Sequence, residues 1–402
     1  MEQWKEYKLG DVCYTISDTY KRNASEVVLI NTSDVLEGKC LNHSKTANKD
    51  LKGQFKKTFQ KDDILYSEIR PANKRFAYVD FDATDYIAST KLMVLRHNDK
   101  INPQYLFYIL KSKSVIEELQ MLAESRSGTF PQITFSELAN LSVNLPPLNE
   151  QQKILSILKS LDDKIELNRQ INDNLEQQAQ ALFKSWFVDN VDPKWLEIPL
   201  SDIADFYGGY SYKGNELVND SNTAMATIKN FDRTGGFKLD GYKPIEPSAK
   251  LKQEHKAELF DILVAHTDLT QNAEVIGNAE QILSIGSFSE IIYSMDLVKV
   301  VPKAEFPYKF LLLSLLKNRF FKSHCLGYVN GTTVLHLSKK ALPDYNVYKP
   351  TEEQAKSMNA IFESLYTKIA QHLIEIERFE NLRDTLLPRL MSGELKINEI
   401  NC

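Results

Sequence analysis

Between Ser67 and Arg75 (SEIRPANKR) the chain gathers a hydroxyl, a carboxamide, an ammonium and two guanidinium groups around Pro71. Arginine pairs with guanine through two bonds, asparagine reads adenine, and lysine or arginine anchors a phosphate. Ser67, Arg70, Asn73, Lys74 and Arg75 are therefore candidates for contact with double-stranded DNA, on a loop expected after the strand DILY. The wider stretch Lys45–Arg75 holds nine Lys or Arg against four acids, a local net charge of +5. The competing reading of such a run is a solvated charged face.

A second segment, DILVAHTDLTQNAEVIG, begins with the same DIL at Asp261 but is not basic. Its His266, Thr267, Thr270, Gln271 and Asn272 suit base edges rather than phosphates. Two glycine turns, SGT at Ser127 and NGT at Asn330, form another candidate pair. Glycine lets backbone approach a phosphate closely, and Ser127, Thr129, Asn330, Thr332 and Thr333 are potential hydrogen-bond donors. The plain alternative for each turn is a hairpin connection.

Other chemistries lack their residues. NPQY at Asn102–Tyr105 resembles the tetrapeptide of amino-methyltransferases, but the second proline is missing and no glycine-rich loop precedes it. An asparagine helix cap followed by proline at the first helical position accounts for it. No G-x-x-x-x-G-K-[ST] loop for ATP occurs. The seven histidines and four cysteines form no metal or redox spacing. No catalytic residue, metal or cofactor is expected in this chain. The net charge of −5 gives no whole-chain footprint of a nucleic-acid binder. No apolar run approaches the roughly 18 residues of a membrane span, and the polar N-terminus lacks a signal-peptide core, so a cytoplasmic protein is expected.

Two long helices are predicted to position these loops. From Ile154 the first carries Ile154, Leu158, Leu161, Ile165, Asn168, Asn172, Leu175, Ala179, Leu182 and Trp186 at alternating steps of four and three. From Met358 the second carries Met358, Phe362, Leu365, Ile369, His372, Ile376, Phe379, Arg383, Leu386 and Leu390 in the same rhythm. That is the seam of a coiled coil. The registers agree, with Ile165 matching Ile369 and Leu182 matching Leu386 (369 − 165 and 386 − 182, both 204). Polar seam residues cost stability but fix register. Antiparallel packing would bring Asn172 to His372; the alternative is a wet seam without a pair.

The repeat extends beyond the helices. Trp4, Leu9 and Asp11 match Trp195, Leu200 and Asp202, each 191 apart (195 − 4). Ile30, Asp34 and Gly38 match Ile228, Asp232 and Gly236, each 198 apart (228 − 30). The expected order is a globular unit at 1–148, a spacer helix at 149–190, a second unit at 191–349, and a helix with a tail at 350–402. The fold class is α+β, pseudo-twofold, with two repeated globular units separated by two long antiparallel coiled-coil helices.

This layout resembles the specificity subunit of Type I restriction-modification systems. LPPLNEQQKI, LDDKIELNRQINDNLE and ALFKSWFVDN resemble that family's central conserved region, and LRDTLLPRLMSGEL its C-terminal one. The resemblance covers essentially the whole chain. It implies two target-recognition domains, each reading half of a split double-stranded DNA sequence, and no catalytic activity in this subunit. It implies two methyltransferase subunits and the motor-nuclease restriction subunits as partners, with S-adenosylmethionine, ATP and Mg on those partners. It also assigns the apolar helix ends, Phe183, Trp186 and Phe187 with Leu386, Leu390 and Met391, to partner docking; the alternative is that they cap the recognition domains. Two other functions compete, a coiled-coil scaffold and a self-contained DNA methyltransferase.

Overall fold

The computed structural model describes residues 4–49, 51, 53–125, 131–233 and 235–395. The chain divides into two compact units, residues 1–163 with 379–402, and residues 164–378. Both cuts fall inside the long helices, Leu148–Lys184 and Glu352–Ser392, so each unit contains a section of each helix.

In the first unit, strand Lys5–Lys8 pairs antiparallel with Ser142–Leu145 and closes the domain's two chain ends. An antiparallel sheet follows the order Cys13–Ile16, Leu92–His97, Ile64–Ser67, Phe76–Tyr78. A second sheet runs Lys45–Ala47, Glu26–Ile30, Tyr86–Ser89, Phe55–Lys57, with its central pair parallel. Side chains alternate across a strand, and the first sheet uses both faces. Ile64, Tyr66, Met93 and Leu95 join a core shared with the helices. Leu65, Leu92 and Val94 enter a core shared with the second sheet. Covering on both faces is why these strands read as continuous apolar runs rather than alternating ones.

The second unit repeats this plan. Leu196–Pro199 pairs with Asn346–Lys349. One sheet runs Ala204–Gly208, Leu297–Pro302, Ile262–Ala265, Ala279–Gln281, and the other Lys243–Pro244, Thr223–Ala226, Glu290–Tyr293, Lys256–Ala257, again with a parallel central pair. Ile262 and Val264 face the helix-side core, and Leu263 and Ala265 the sheet-side core.

The C-terminal helix starts in a capping box: the Gln354 backbone N–H donates to the Thr351 hydroxyl at 3.4 Å and the Thr351 N–H to Gln354 Oε1 at 3.2 Å. It continues through Pro388 and ends before Gly393, whose φ of 75° is the left-handed conformation common just past a helix. The central helix has no glycine or proline and finishes in a π-turn, Ser185–Asp189. Within the second unit the two helix sections run antiparallel, since Asn168 donates to Glu375 at 2.9 Å while Asn172 meets His372 at 2.8 Å. Asn172 Nδ2 donates to the Ile369 carbonyl, so its Oδ1 is the acceptor and His372 Nδ1 the donor. The polar seam pair expected from the heptads is therefore present.

Partly buried ionic junctions fasten the small helices to the long ones. In the first unit Asp162 accepts from Lys111 at 2.8 Å, from Arg383 at 3.0 Å and from the Tyr108 hydroxyl. In the second, Lys317 donates to Glu176 at 2.8 Å and to Glu280 at 2.7 Å. Asn102 caps its helix by accepting from the N–H groups of Gln104 and Tyr105, with Pro103 at the first position, as expected for NPQY. No described helix is long and apolar enough to cross a membrane.

Candidate nucleic-acid interface

In the first unit the loop after strand Ile64–Ser67 is held by its backbone. A 3₁₀ turn, Pro71–Asn73, is flanked by Arg70 at φ 45° and Lys74 at φ 51°, both left-handed. Arg70 N–H donates to the Pro131 carbonyl at 3.0 Å, and Ala72 N–H to Gln120 Oε1 at 3.0 Å. Conformations that non-glycine residues hold only under constraint cluster at binding sites. Here the constraint leaves the side chains of Arg70, Asn73 and Lys74 exposed. Lys74 pairs with Glu37 at 3.0 Å, with the two side chains 51% and 61% exposed. Such a surface pair is worth about 0–1 kcal/mol, so the ammonium is readily given up to a phosphate.

Two of the expected residues serve the loop instead. Ser67 is 3% exposed, and its hydroxyl bonds the backbone of Ile69. It is therefore removed from the candidate contacts, because it completes a strand covered on both faces. Arg75 is half-buried and donates to the carbonyls of Ser33 and Val35, which makes it a brace for the loop. Lys57 leaves the basic stretch as well, donating to the carbonyls of Thr90 and Leu92. Ser127 and Thr129 lie outside the described residues.

The second unit builds its loop on a buried carboxylate. Asp268, 2% exposed, accepts from the N–H and hydroxyl of Thr270 and from the N–H groups of Val275 and Ile276. Burial opposes its charge, but these bonds hold its pKa below the ordinary value. Thr267 is 5% exposed and donates its hydroxyl to Asp296, and Thr270 donates inward to Asp268. Both are corrected from base-reading candidates to internal braces. His266 is half-buried, and burial, with His336 and Lys339 nearby, lowers its pKa. Gln271, Asn272, Asn330, Thr332 and Thr333 are exposed.

NGT is the hairpin turn that its composition allows. It joins Val329–Asn330 to Leu335–Leu337, with Gly331 at φ 111°. A Cβ on Gly331 would lie 2.2 Å from the Val334 carbonyl oxygen. Strand Leu335–Leu337 pairs in turn with Thr267–Asp268, Thr267 opposite His336. In the first unit Ile69 bridges Gln132. The loop partners are 198 apart (267 − 69), the offset of the sequence repeat, and the return partners are 204 apart (336 − 132), one more than the 203 between the two glycine turns (330 − 127). In each unit, then, the candidate loop is pinned to the segment that follows the candidate turn. No sequence signal joined the two; the pairing is long-range.

The apolar helix ends lie in the cores or pack against them. Phe183 and Phe187 are 8% and 7% exposed and stack at 5.5 Å, and Leu390 is 0% exposed. Trp186 packs against Phe362, while Leu386 and Met391 pack on the first unit's core. Phe183, Phe187 and Leu390 are corrected from partner docking to the capping role, since their surface is already spent inside their own units, whereas Trp186, Leu386 and Met391 are half-buried. Among the described residues no group of three His, Cys, Asp or Glu is arranged to hold a metal.

Comparison with known proteins agrees with this architecture. The family model described as "Type I restriction modification DNA specificity domain" matches residues 1–177. The chain is 34% identical to the specificity subunit of the type I restriction enzyme HindI of Haemophilus influenzae, over 98% of this chain and all of that one. It is 24% identical to the specificity subunit of the type I enzyme MjaIX of Methanocaldococcus jannaschii, over 75% of this chain and 71% of that one. The fold matches the S subunit of a Type I restriction-modification system from M. genitalium, with a TM-score of 0.56 at 18% identity, covering 97% and 96% of the two chains. The relatives named here are specificity subunits, which removes the scaffold and the self-contained methyltransferase as readings. On full-length identity to a curated member, this chain belongs to the non-catalytic DNA specificity subunits of type I restriction enzymes.

Proposed function

We propose that the chain reads a split double-stranded DNA target, one half-site per unit, with the paired long helices as the ruler between them. The observation that carries this is the duplicated reading loop, pinned to the same return segment in both units. Arg70, Asn73 and Lys74 would read in one unit, and Gln271, Asn272, Asn330, Thr332 and Thr333 in the other. Two methyltransferase subunits would dock on the helices, joined by the motor-nuclease subunits, in the cytoplasm. Leu167, Ile361, Ile374 and Leu382 are exposed on these helices and offer apolar contact. The partners would bring S-adenosylmethionine, ATP and Mg, and much of the positive charge that phosphates require, because this chain is net negative.

The test is methylome sequencing of cells with and without the gene, its methyltransferase subunit supplied. A split motif with half-sites about one helical turn, some 34 Å, apart is expected only when the gene is present. Deleting one heptad from both helices keeps the seam in phase and shortens each by about 10 Å at 1.5 Å per residue. The preferred gap should then shrink by about three base pairs at 3.4 Å each, or methylation should be lost. An unchanged gap would refute the ruler.

A further inference from the structure

The loop Leu269–Gly277 is fixed from within to an unusual degree. Asp268 ties down Thr270, Val275 and Ile276, and the Lys322 ammonium donates to the carbonyls of Glu274 and Ile276 at 3.2 and 2.5 Å. Ala273 sits at φ 53°, a conformation that a non-glycine residue keeps only where its surroundings over-determine it. Gly277, at φ 76°, donates to the Ala265 carbonyl at 2.7 Å, and a Cβ there would lie 2.6 Å from Cβ of Cys325. Every one of these contacts faces inward.

What this frame leaves in solvent is Leu269, 67% exposed, with Gln271 and Asn272. The Gln271 amide donates one N–H to the Thr332 carbonyl on the neighbouring hairpin. That bond orients the carboxamide and leaves its second N–H and its oxygen unspent. Those two groups match adenine N7 and N6 in the major groove. An exposed leucine two residues earlier on the same rigid loop supplies the apolar contact that a thymine methyl takes. None of the three side chains is charged, in contrast to Arg70 on the corresponding loop of the first unit.

We infer that the second unit selects an A·T pair in its half-site, with Gln271 reading adenine and Leu269 contacting the thymine methyl. The inference rests on the bipartite-recognition reading above. Pre-orientation of the carboxamide by the Thr332 carbonyl makes it a specificity determinant, because less side-chain ordering remains to be done on binding.

The experiment is methylome sequencing of cells that carry the full chain, its Q271A form or its L269A form, each with the methyltransferase subunit; the host genome is the probe. The unchanged chain should give a motif with A·T in one half. Q271A should make that position degenerate, by roughly 5- to 150-fold in discrimination, and leave the other half-site intact. L269A should weaken the same pair. A motif identical in all three overturns the inference, as does relaxation confined to G·C positions. If Q271A abolishes methylation, L269A decides, since removing an exposed side chain costs no packing: relaxation at A·T supports the inference and an unchanged motif overturns it. A complete absence of gene-dependent methylation would remove the bipartite reading and this inference together.

Discussion

Replacing Lys317 with Met tests what holds the second unit on its helices. The ammonium lies 2.7 Å from Glu280 and 2.8 Å from Glu176, with the lysine side chain 13% and the Glu280 side chain 3% exposed. At an effective dielectric of 20, a pair at this separation attracts by about 6 kcal/mol, set against a desolvation penalty of several kcal/mol per ion. Removing the lysine strands a buried carboxylate whose remaining bond is from the Gly236 N–H at 2.7 Å. The expected loss is about 3–5 kcal/mol, the cost of breaking a buried pair from one side. Urea unfolding of the full chain, followed by the fluorescence of Trp186 and Trp195 in this unit, measures it. Adding E280Q to K317M should restore most of the loss, because the amide keeps the Gly236 bond without a charge. Burial raises the Glu280 pKa above the ordinary 4.5. The stability tied to this group is therefore present below that value and lost as pH rises through the raised folded value. Lys317 opposes this rise, so K317M should raise the folded value further and recover part of its loss as pH is lowered. A K317M form within about 1 kcal/mol of the parent at pH 7.5, or no benefit from E280Q, would refute the account; a surface change away from such features costs no more than about 0.5 kcal/mol.

Two further expectations use the reading loops. R70A should leave the unfolding midpoint within about 0.5 kcal/mol of the parent, since the side chain is exposed, yet reduce discrimination at one base pair of the first half-site by about 1–3 kcal/mol; quantitative methylome sequencing reads this, and an unaltered motif would exclude Arg70 from base contact. The Asp268 carboxyl, held below its ordinary 3.8 by the bonds it accepts, contributes stability that is present above that value and lost as pH falls through its lower folded value. Thermal melts from pH 5 downward should show this acid-side loss in the parent and a smaller one in D268N; parallel curves would show that the carboxylate does not organise the loop.

The outcome at Arg75 and Thr267 illustrates why residue type alone misassigns a contact. Both have groups that bind nucleic acid, and both spend them on backbone or carboxylate partners more than 25 positions away. Their donors were satisfied by pairings that only the folded sheets create. Gln271 shows the reverse: its one side-chain bond among the described residues orients it without exhausting it.

The sequence by itself determined the two long helices and their seam positions, because a heptad pattern is local and each turn of helix repeats the same decision; that Asn172 meets His372 rather than water was left to the packing of the two helices. It also determined the duplication, since matched offsets of 191, 198 and 204 survive wherever strands and helices must recur in order (195 − 4, 228 − 30, 369 − 165). Only the tertiary structure decided which candidate residues face solvent. Ser67, Phe183, Phe187 and Leu390 are withdrawn into cores assembled from segments far apart in the chain. The charges of Asp162 and Glu176 read as ordinary helix-surface residues until Lys111 and Lys317 arrive from another element. Burial and pairing are properties of what packs against a residue, and that is fixed by long-range contact, not by the spacing of its neighbours.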